Sequence, residues 1–233
     1  LEKALQISSV LGDPTRFNIY QYIVKQNQEV NVSEIAKQFE IHPNVARLHL
    51  SKLEDVSMIV SYPKKTGKGG RPSRLYKLSD EVIELSFPHR DYKLLSSIAI
   101  ESFSELGEAG KHALYNTGRK YGLKVIERLQ TVHYSNEDLT VDKKIHLLEN
   151  AGHMLGMYPN FTYNQESNSI TFCINNCPFK EVASHNHKTI CEMHNYFLKG
   201  MFEALFNDVE LIEEENMFQG CESCTYVAKL SIV

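Results

Sequence analysis

Residues 32–60 read VSEIAKQFEIHPNVARLHLSKLEDVSMIV, and the punctuation inside this stretch decides the fold. Ser33 is placed to cap a short helix through Ile35, Ala36 and Phe39, with Glu34 in the first turn, where an acid suits the helix N-terminus. A turn at Ile41 and His42 follows. Pro43 then opens a second helix, because its fixed φ and missing N–H do no harm at the first helical position. On that helix Val45, Leu48, Leu53 and Val56 are expected to face the preceding elements, which leaves Asn44, Arg47 and Ser51 as an outward stripe at spacings of three and four.

Upstream, residues 11–24 read LGDPTRFNIYQYIV. A first helix carries Ala4, Leu5, Ile7, Val10 and Leu11, Gly12 ends it, and Asp13 caps a second whose first residue is Pro14. That helix presents Phe17, Ile19, Tyr20, Ile23 and Val24 on its apolar side. Downstream, Met58 to Tyr62 and Leu75 to Leu78 are short strand-like runs. Between them KKTGKGGRPSR (64–74) sets Lys64, Lys65, Lys68, Arg71 and Arg74 with no acid; Gly67, Gly69 and Gly70 permit a long hairpin tip, and Pro72 stiffens its return.

Two short helices, a polar stripe on the second and a basic hairpin after it describe a DNA reader. Arg47 suits guanine O6 and N7, Asn44 suits adenine, Ser51 suits a base or phosphate, and the hairpin cations suit phosphates or a minor groove. The three stretches 11–24, 32–60 and 70–79 together resemble the winged helix-turn-helix of bacterial ArsR-like and SufR-like repressors. The resemblance covers about the first third of the chain. It implies a homodimer bound to an inverted repeat in double-stranded operator DNA. The family pattern has Gly between the recognition helix and the first wing strand; here the position is Ser57, so an altered helix end is expected.

Composition fits this division. The chain has 233 residues, enough for two small cores, with 42% hydrophobic and 23% charged residues. No segment approaches the roughly 18 unbroken apolar residues of a membrane span, and no secretory signal pattern opens the chain, so a cytoplasmic protein without a membrane partner is expected. The net charge of −4 conceals an asymmetry: residues 1–79 hold 12 Lys/Arg against 7 Asp/Glu, a local +5. All five cysteines lie beyond residue 172, and their odd number points to reduced thiols rather than a disulfide scaffold.

Residues 91–129 read as one or two helices with Leu94, Leu95, Ile98, Ala99, Phe103 and Leu106 as an apolar stripe; Gly107, Gly110, Gly118 and Gly122 interrupt it or allow close helix approach. Core packing explains the stripe, and a dimer-forming helix is its specific version. A further helix spans 139–155, and a hairpin joins 160–164 to 169–174.

In the tail, Cys177 stands at a strand end before Pro178, Cys191 at a helix start, and Cys221 and Cys224 in GCESC have the two-residue gap that turns both sulfurs toward one metal. Together they reach the ligand count for an iron–sulfur cluster or zinc. Cys173 reads as a packing residue, with a spare ligand or resolving thiol as the alternative, and His185, His187 and His194 as solvated imidazoles or substitute ligands. This tail resembles the C-terminal domain of SufR-like iron–sulfur regulators and the related vinyl-reductase-type sensor domains, which share the CPF start and a terminal Cys pair. The resemblance implies a cysteine-ligated redox cofactor that changes operator affinity.

The sequence thus predicts an α+β protein: a winged helix-turn-helix domain over 1–86, a helical dimerisation or linker segment over 87–130, and an α+β cysteine-containing sensor domain over 131–233. The expected function is a dimeric transcription regulator with an iron–sulfur switch. One alternative is a zinc-containing regulator that responds to a small molecule. A cysteine-dependent enzyme ranks low, because no fixed Cys–His pair or phosphate-cradling Gly loop is visible.

Overall fold

The structure is a computed structural model that describes residues 2–64, 73–83, 85, 88, 90–133 and 139–231. Helices and antiparallel sheets form two compact units, Leu1–Arg90 and Asp91–Val233, each with its own apolar core, so the architecture is α+β.

In the first unit, α1 (Glu2–Leu11) and α2 (Pro14–Gln26) meet at Asp13, whose side chain accepts the Arg16 N–H at 2.9 Å. The short strand β1 (Val30–Asn31) leads into α3 (Val32–Gln38). The cap of α3 is Asn31 rather than Ser33: Asn31 accepts the N–H groups of Ser33 and Glu34, while Glu34 accepts the Asn31 N–H at 2.8 Å. This reciprocal box satisfies donors that a lone Ser33 cap two residues later would leave open. Next come α4 (Pro43–Asp55), β2 (Ile59–Lys64) and β3 (Ser73–Leu78), with strand order β1-β3-β2 and pairing from Ile59↔Leu78 to Lys64↔Ser73.

Ile7, Ile19, Ile23, Ile35, Leu50, Leu53 and Ile59 fill the core of this unit. The buried side of α4 is Ala46, His49, Leu50 and Leu53. Val45 and Leu48, expected inside, are 41% and 56% exposed. The inward stripe is turned by about one residue because Ala46 and His49 occupy the inner side of the first two turns.

The second unit contains α5 (Tyr92–Glu105), α6 (Gly107–His133), α7 (Val141–Met154), β4 (Pro159–Asn164), β5 (Ser169–Ile174), α8 (Lys180–Glu203), β6 (Val209–Glu215), a 3-10 turn (Met217–Gln219) and β7 (Cys224–Leu230). Its sheet has the order β4-β5-β7-β6, every pair antiparallel. Phe161, Phe172 and Tyr226 stand side by side in register on the core face, and Phe202 of α8 stacks on Phe172 at 5.2 Å.

The segment 87–130 falls, from Asp91 onward, inside this second unit. Within it α6 packs against α8 backbone to backbone: a Cβ on Gly122 would stand 1.9 Å from the Phe197 carbonyl oxygen, and one on Gly200 would stand 2.1 Å from that of Arg119. By contrast α5 has no buried residue, and Leu94, Leu95, Ile98 and Leu106 of its apolar stripe are exposed. Among the described residues no helix is long and apolar enough to cross a membrane.

Candidate DNA-reading face and thiol cluster

The turn between α3 and α4 is set by backbone hydrogen bonds rather than by glycine. Glu40 takes φ +54, and Ile41 N–H reaches back to the Ala36 carbonyl at 3.0 Å. At the far end of α4, Ser57 takes φ +60, its N–H bonds the Glu54 carbonyl at 2.9 Å, and Met58 N–H bonds that of Leu53 at 3.1 Å. These paired bonds close a Schellman motif, so Ser57 supplies the left-handed turn usually given to Gly. The altered helix end expected at Ser57 is therefore a retained turn carrying a side-chain strain.

Asn44 and Arg47 are exposed on the outer face of α4, and Arg47 Nη1 donates to Asn44 Oδ1 at 3.1 Å. Ser51, half-buried, follows on the same side. His42 stands before Pro43 and accepts the Asn44 N–H at its Nδ1, 3.2 Å away. Lys64 ends β2 in an exposed position. Arg74 of β3 pairs with Glu54 of α4 at 3.4 Å, and Glu54 also accepts the Ser61 hydroxyl of β2. The three side chains join α4 to both β2 and β3. Lys65, Lys68 and Arg71 lie outside the described residues, as do Gly67, Gly69, Gly70 and Pro72.

In the second unit all five cysteines are free thiols. Cys224, the first residue of β7, interacts electrostatically with Cys177, Cys191 and Cys221. Burial pushes the Cys177 thiol up to about 12, against a lowering hydrogen bond from the Phe179 N–H, and the neighbouring thiols add to the rise. Burial also raises Cys224, opposed by the Met217 N–H, which donates to its sulfur at 3.4 Å; Glu213 then adds to the rise. Cys191 is raised by burial, eased by a hydrogen bond from the Asn216 side chain, and raised again by Glu213. Burial and neighbouring carboxylates thus favour the protonated thiol at Cys177, Cys191 and Cys224 until something positive enters.

Cys191 lies within α8, five positions past a kink at Asn186, rather than at a helix start. Its thiol lines a cleft of about 400 Å³ between α8 and the β6 end, together with His187, Glu192, Glu213, Asn216 and Phe218. Gly220, at φ +94, turns the chain just before Cys221. Cys173 is set apart, on the sheet face opposite Phe172 and Ile174, where it lies 3.8 Å from the Asn160 and Asn175 side chains. The histidines are helical rather than on a loop. His194 is 4% exposed, stacked edge-on to Phe179, and its Nε2 has no partner; burial lowers its pKa to about 4.

Four thiols with hydrogen-bond donors aimed at three of them are the right chemistry for a soft metal or an iron–sulfur cluster. Their spacing is wider than a coordination shell: among the described residues no group of three or more His, Cys, Asp or Glu side chains is arranged to hold a metal ion.

Residues 11–62 match a family described as a helix-turn-helix domain. Comparison with curated proteins gave no match. Among solved structures, the chain is similar to a trafficking protein particle complex subunit 3 from Naegleria fowleri covalently bound to palmitic acid, at 16% identity and a TM-score of 0.42, over 60% of this chain and 97% of that one. It is also similar to the phenol-responsive sensory domain of the transcription activator PoxR with phenol, at 16% identity and a TM-score of 0.43, over 79% of this chain and 89% of that one. At such scores neither structure defines the fold of this chain. The first unit contains a helix-turn-helix domain, followed by the paired strands β2 and β3, and this domain supports a DNA-binding transcription regulator.

Proposed function

We propose that the protein is a dimeric transcription regulator that grips double-stranded operator DNA with α4 and the basic hairpin and tunes that grip through the cysteine cluster of its second unit. The observation that carries the DNA reading is the outer face of α4, where the hydrogen-bonded pair Arg47 and Asn44 stands free of the core in a unit of net positive charge. The dimer reading is supported by α5, whose exposed Leu94, Leu95, Ile98 and Leu106 gain a buried surface if a second copy covers them. A regulator of this class, not an enzyme, is the reading the helix-turn-helix match favours.

For the signal, the reading is an iron–sulfur cluster held by Cys177, Cys191, Cys221 and Cys224, with zinc as the second reading. What supports it is that Cys224 lies within electrostatic reach of Cys177, Cys191 and Cys221, with Cys191 opening on the cleft. Ligation requires the sulfurs to draw together, and it releases their protons. Such a cluster supplies a charge that changes with oxidation or cluster loss.

The test is anaerobic purification of the full chain with iron, sulfide and zinc analysis, a visible spectrum, and operator binding before and after chelation. Stoichiometric iron and sulfide with absorbance in the visible support the cluster; zinc alone moves the assignment to the second reading. Protein that stays free of metal after reconstitution, and whose DNA affinity ignores chelation, sinks both.

A further inference from the structure

We propose that Leu48 and Val45 form the apolar centre of the DNA-reading face and select thymine, through its C5-methyl group, at the base pairs they meet. The proposal rests on the reading of the first unit as a DNA-binding head and names what that head prefers.

The placement follows from helix geometry. With Ala46, Leu50 and Leu53 fully buried, the middle of the outer face of α4 points the opposite way. At about 100° per residue Leu48 occupies that middle. Asn44, Arg47 and Ser51 flank it on one side, Val45 and Lys52 on the other. Both apolar residues belong to the first two turns of the helix, the part that approaches base edges when a recognition helix enters the groove.

A single exposed leucine on a surface calls for no explanation. Here a γ-branched side chain stands at the centre and a β-branched one beside it, on a face whose remaining groups are an Arg–Asn pair, a serine and, toward the far end, Lys52 paired with Asp55 at 3.6 Å. A protein partner with an apolar pocket would have to accept the Arg47 cation and the polar groups beside it. The DNA major groove supplies the complement: acceptors and phosphates for the cations, and one apolar group, the thymine methyl, for the branched side chains. The Arg47–Asn44 hydrogen bond strengthens the argument. It engages one lone pair of Asn44 Oδ1 and steers the face toward donors, which suit acceptor-rich edges such as guanine N7 and O6 and thymine O4.

The test starts from a library of random-sequence DNA duplexes selected for binding by the full chain. In the best-bound duplex each thymine is then replaced by deoxyuridine, which removes only the methyl group. We expect enrichment of thymine at one or two positions per half-site and an affinity loss of about 3- to 5-fold per critical methyl. Leu48→Ala and Val45→Ala, both at exposed positions, should bind without that deoxyuridine penalty. If the parent protein enriches a sequence yet tolerates deoxyuridine at every thymine, the thymine reading fails while the DNA-binding reading stands. If both alanine variants keep the full deoxyuridine penalty, some other residue reads the methyl and the assignment to Leu48 and Val45 fails. If no sequence is enriched at all, both readings fail together.

Discussion

Tyr115 on α6 donates its hydroxyl hydrogen to Glu192 of α8 at 2.9 Å, and its ring lies nearly parallel to that of Tyr196, 5.2 Å away. Glu192 is the neighbour of Cys191 and lines the same cleft. The long helix α6 is therefore tied to the turn of α8 that carries a thiol. Burial and the bond to a carboxylate push the Tyr115 hydroxyl up to about 12, because its ionised form would lose a donor and face an anion.

Tyr115→Phe should keep the ring stack and lose only the hydrogen bond. With Glu192 on the surface, the expected cost is about 1 kcal/mol of unfolding free energy. Denaturant melts of both proteins at pH 7 check this, and ultraviolet titration should lose one tyrosine from its late, high-pH limb. The sign follows from the raised pKa: the contribution is present below the ordinary tyrosine value near 10 and is lost as the pH climbs through about 12. Equal melts and identical titrations would remove this bond from the account.

Gly122→Ala should be far more damaging than Gly107→Ala. At Gly122 the new methyl would meet the Phe197 carbonyl oxygen at 1.9 Å, and neither helix backbone can retreat without opening the interface. The expected loss is about 3 kcal/mol or more. Gly107 has φ +61 with open space around it, so alanine there costs about 1 kcal/mol of backbone strain. Thermal or urea denaturation of the two variants, measured side by side, checks the order; a milder Gly122→Ala would mean that α6 and α8 are not in backbone contact.

Much of the first unit was legible because its signals are local. Asp13 before Pro14 and Pro43 at a helix start fix boundaries that the structure places as read, and the two strand runs are present but reach further into the basic stretch, to Lys64 and from Ser73. The inward side of α4 was not legible: Val45 and Leu48 fit an apolar stripe by spacing, and only packing shows that Ala46 and His49 take that side. The Asn31 cap was missed because Ser33 is also a cap former, and the deciding signal was the spacing of Asn31 to Glu34. In the second unit the hairpin from β4 to β5 was visible from alternation. The burial of His194 was invisible: Phe197 is its neighbour one turn along α8, but Phe179 reaches it only from the start of that helix. The meeting of Cys224 with Cys177 and Cys191 depends on β7 pairing next to β5, a contact between residues about fifty apart that no local pattern encodes.

Ser57→Gly should stabilise the first unit by about 1 kcal/mol. Ser57 holds φ +60, where its Cβ crowds the backbone, while both hydrogen bonds of the turn use main-chain groups that glycine keeps. The opposing term is the greater freedom of glycine in the unfolded chain, which trims the gain. Chemical denaturation followed by circular dichroism checks the sign. A loss of stability would mean that the Ser57 side chain makes a contribution beyond its strained backbone.

His194→Leu should make the second unit more resistant to acid while leaving it little changed at neutral pH. Burial among Phe179 and Phe197 leaves the His194 Nε2 without a partner and lowers the pKa to about 4, from an ordinary value of 6.5. The folded chain therefore binds this proton later than the unfolded chain does. Stability is whole above about pH 6.5 and drains away as the pH falls toward 4, by on the order of 3 kcal/mol in all. Leucine has no such proton to take up, and it also leaves no polar atom stranded in an apolar site. At pH 7.5 the two proteins should unfold within about 1 kcal/mol of each other, the lost ring contacts offsetting the removed polar atom. At pH 4.5 the leucine variant should be the more stable one, by a margin that grows as the pH falls toward about 4 and levels off below it. Urea melts at the two pH values check this, and parallel acid limbs for parent and variant would show that His194 takes up its proton in the folded state as readily as in the unfolded one.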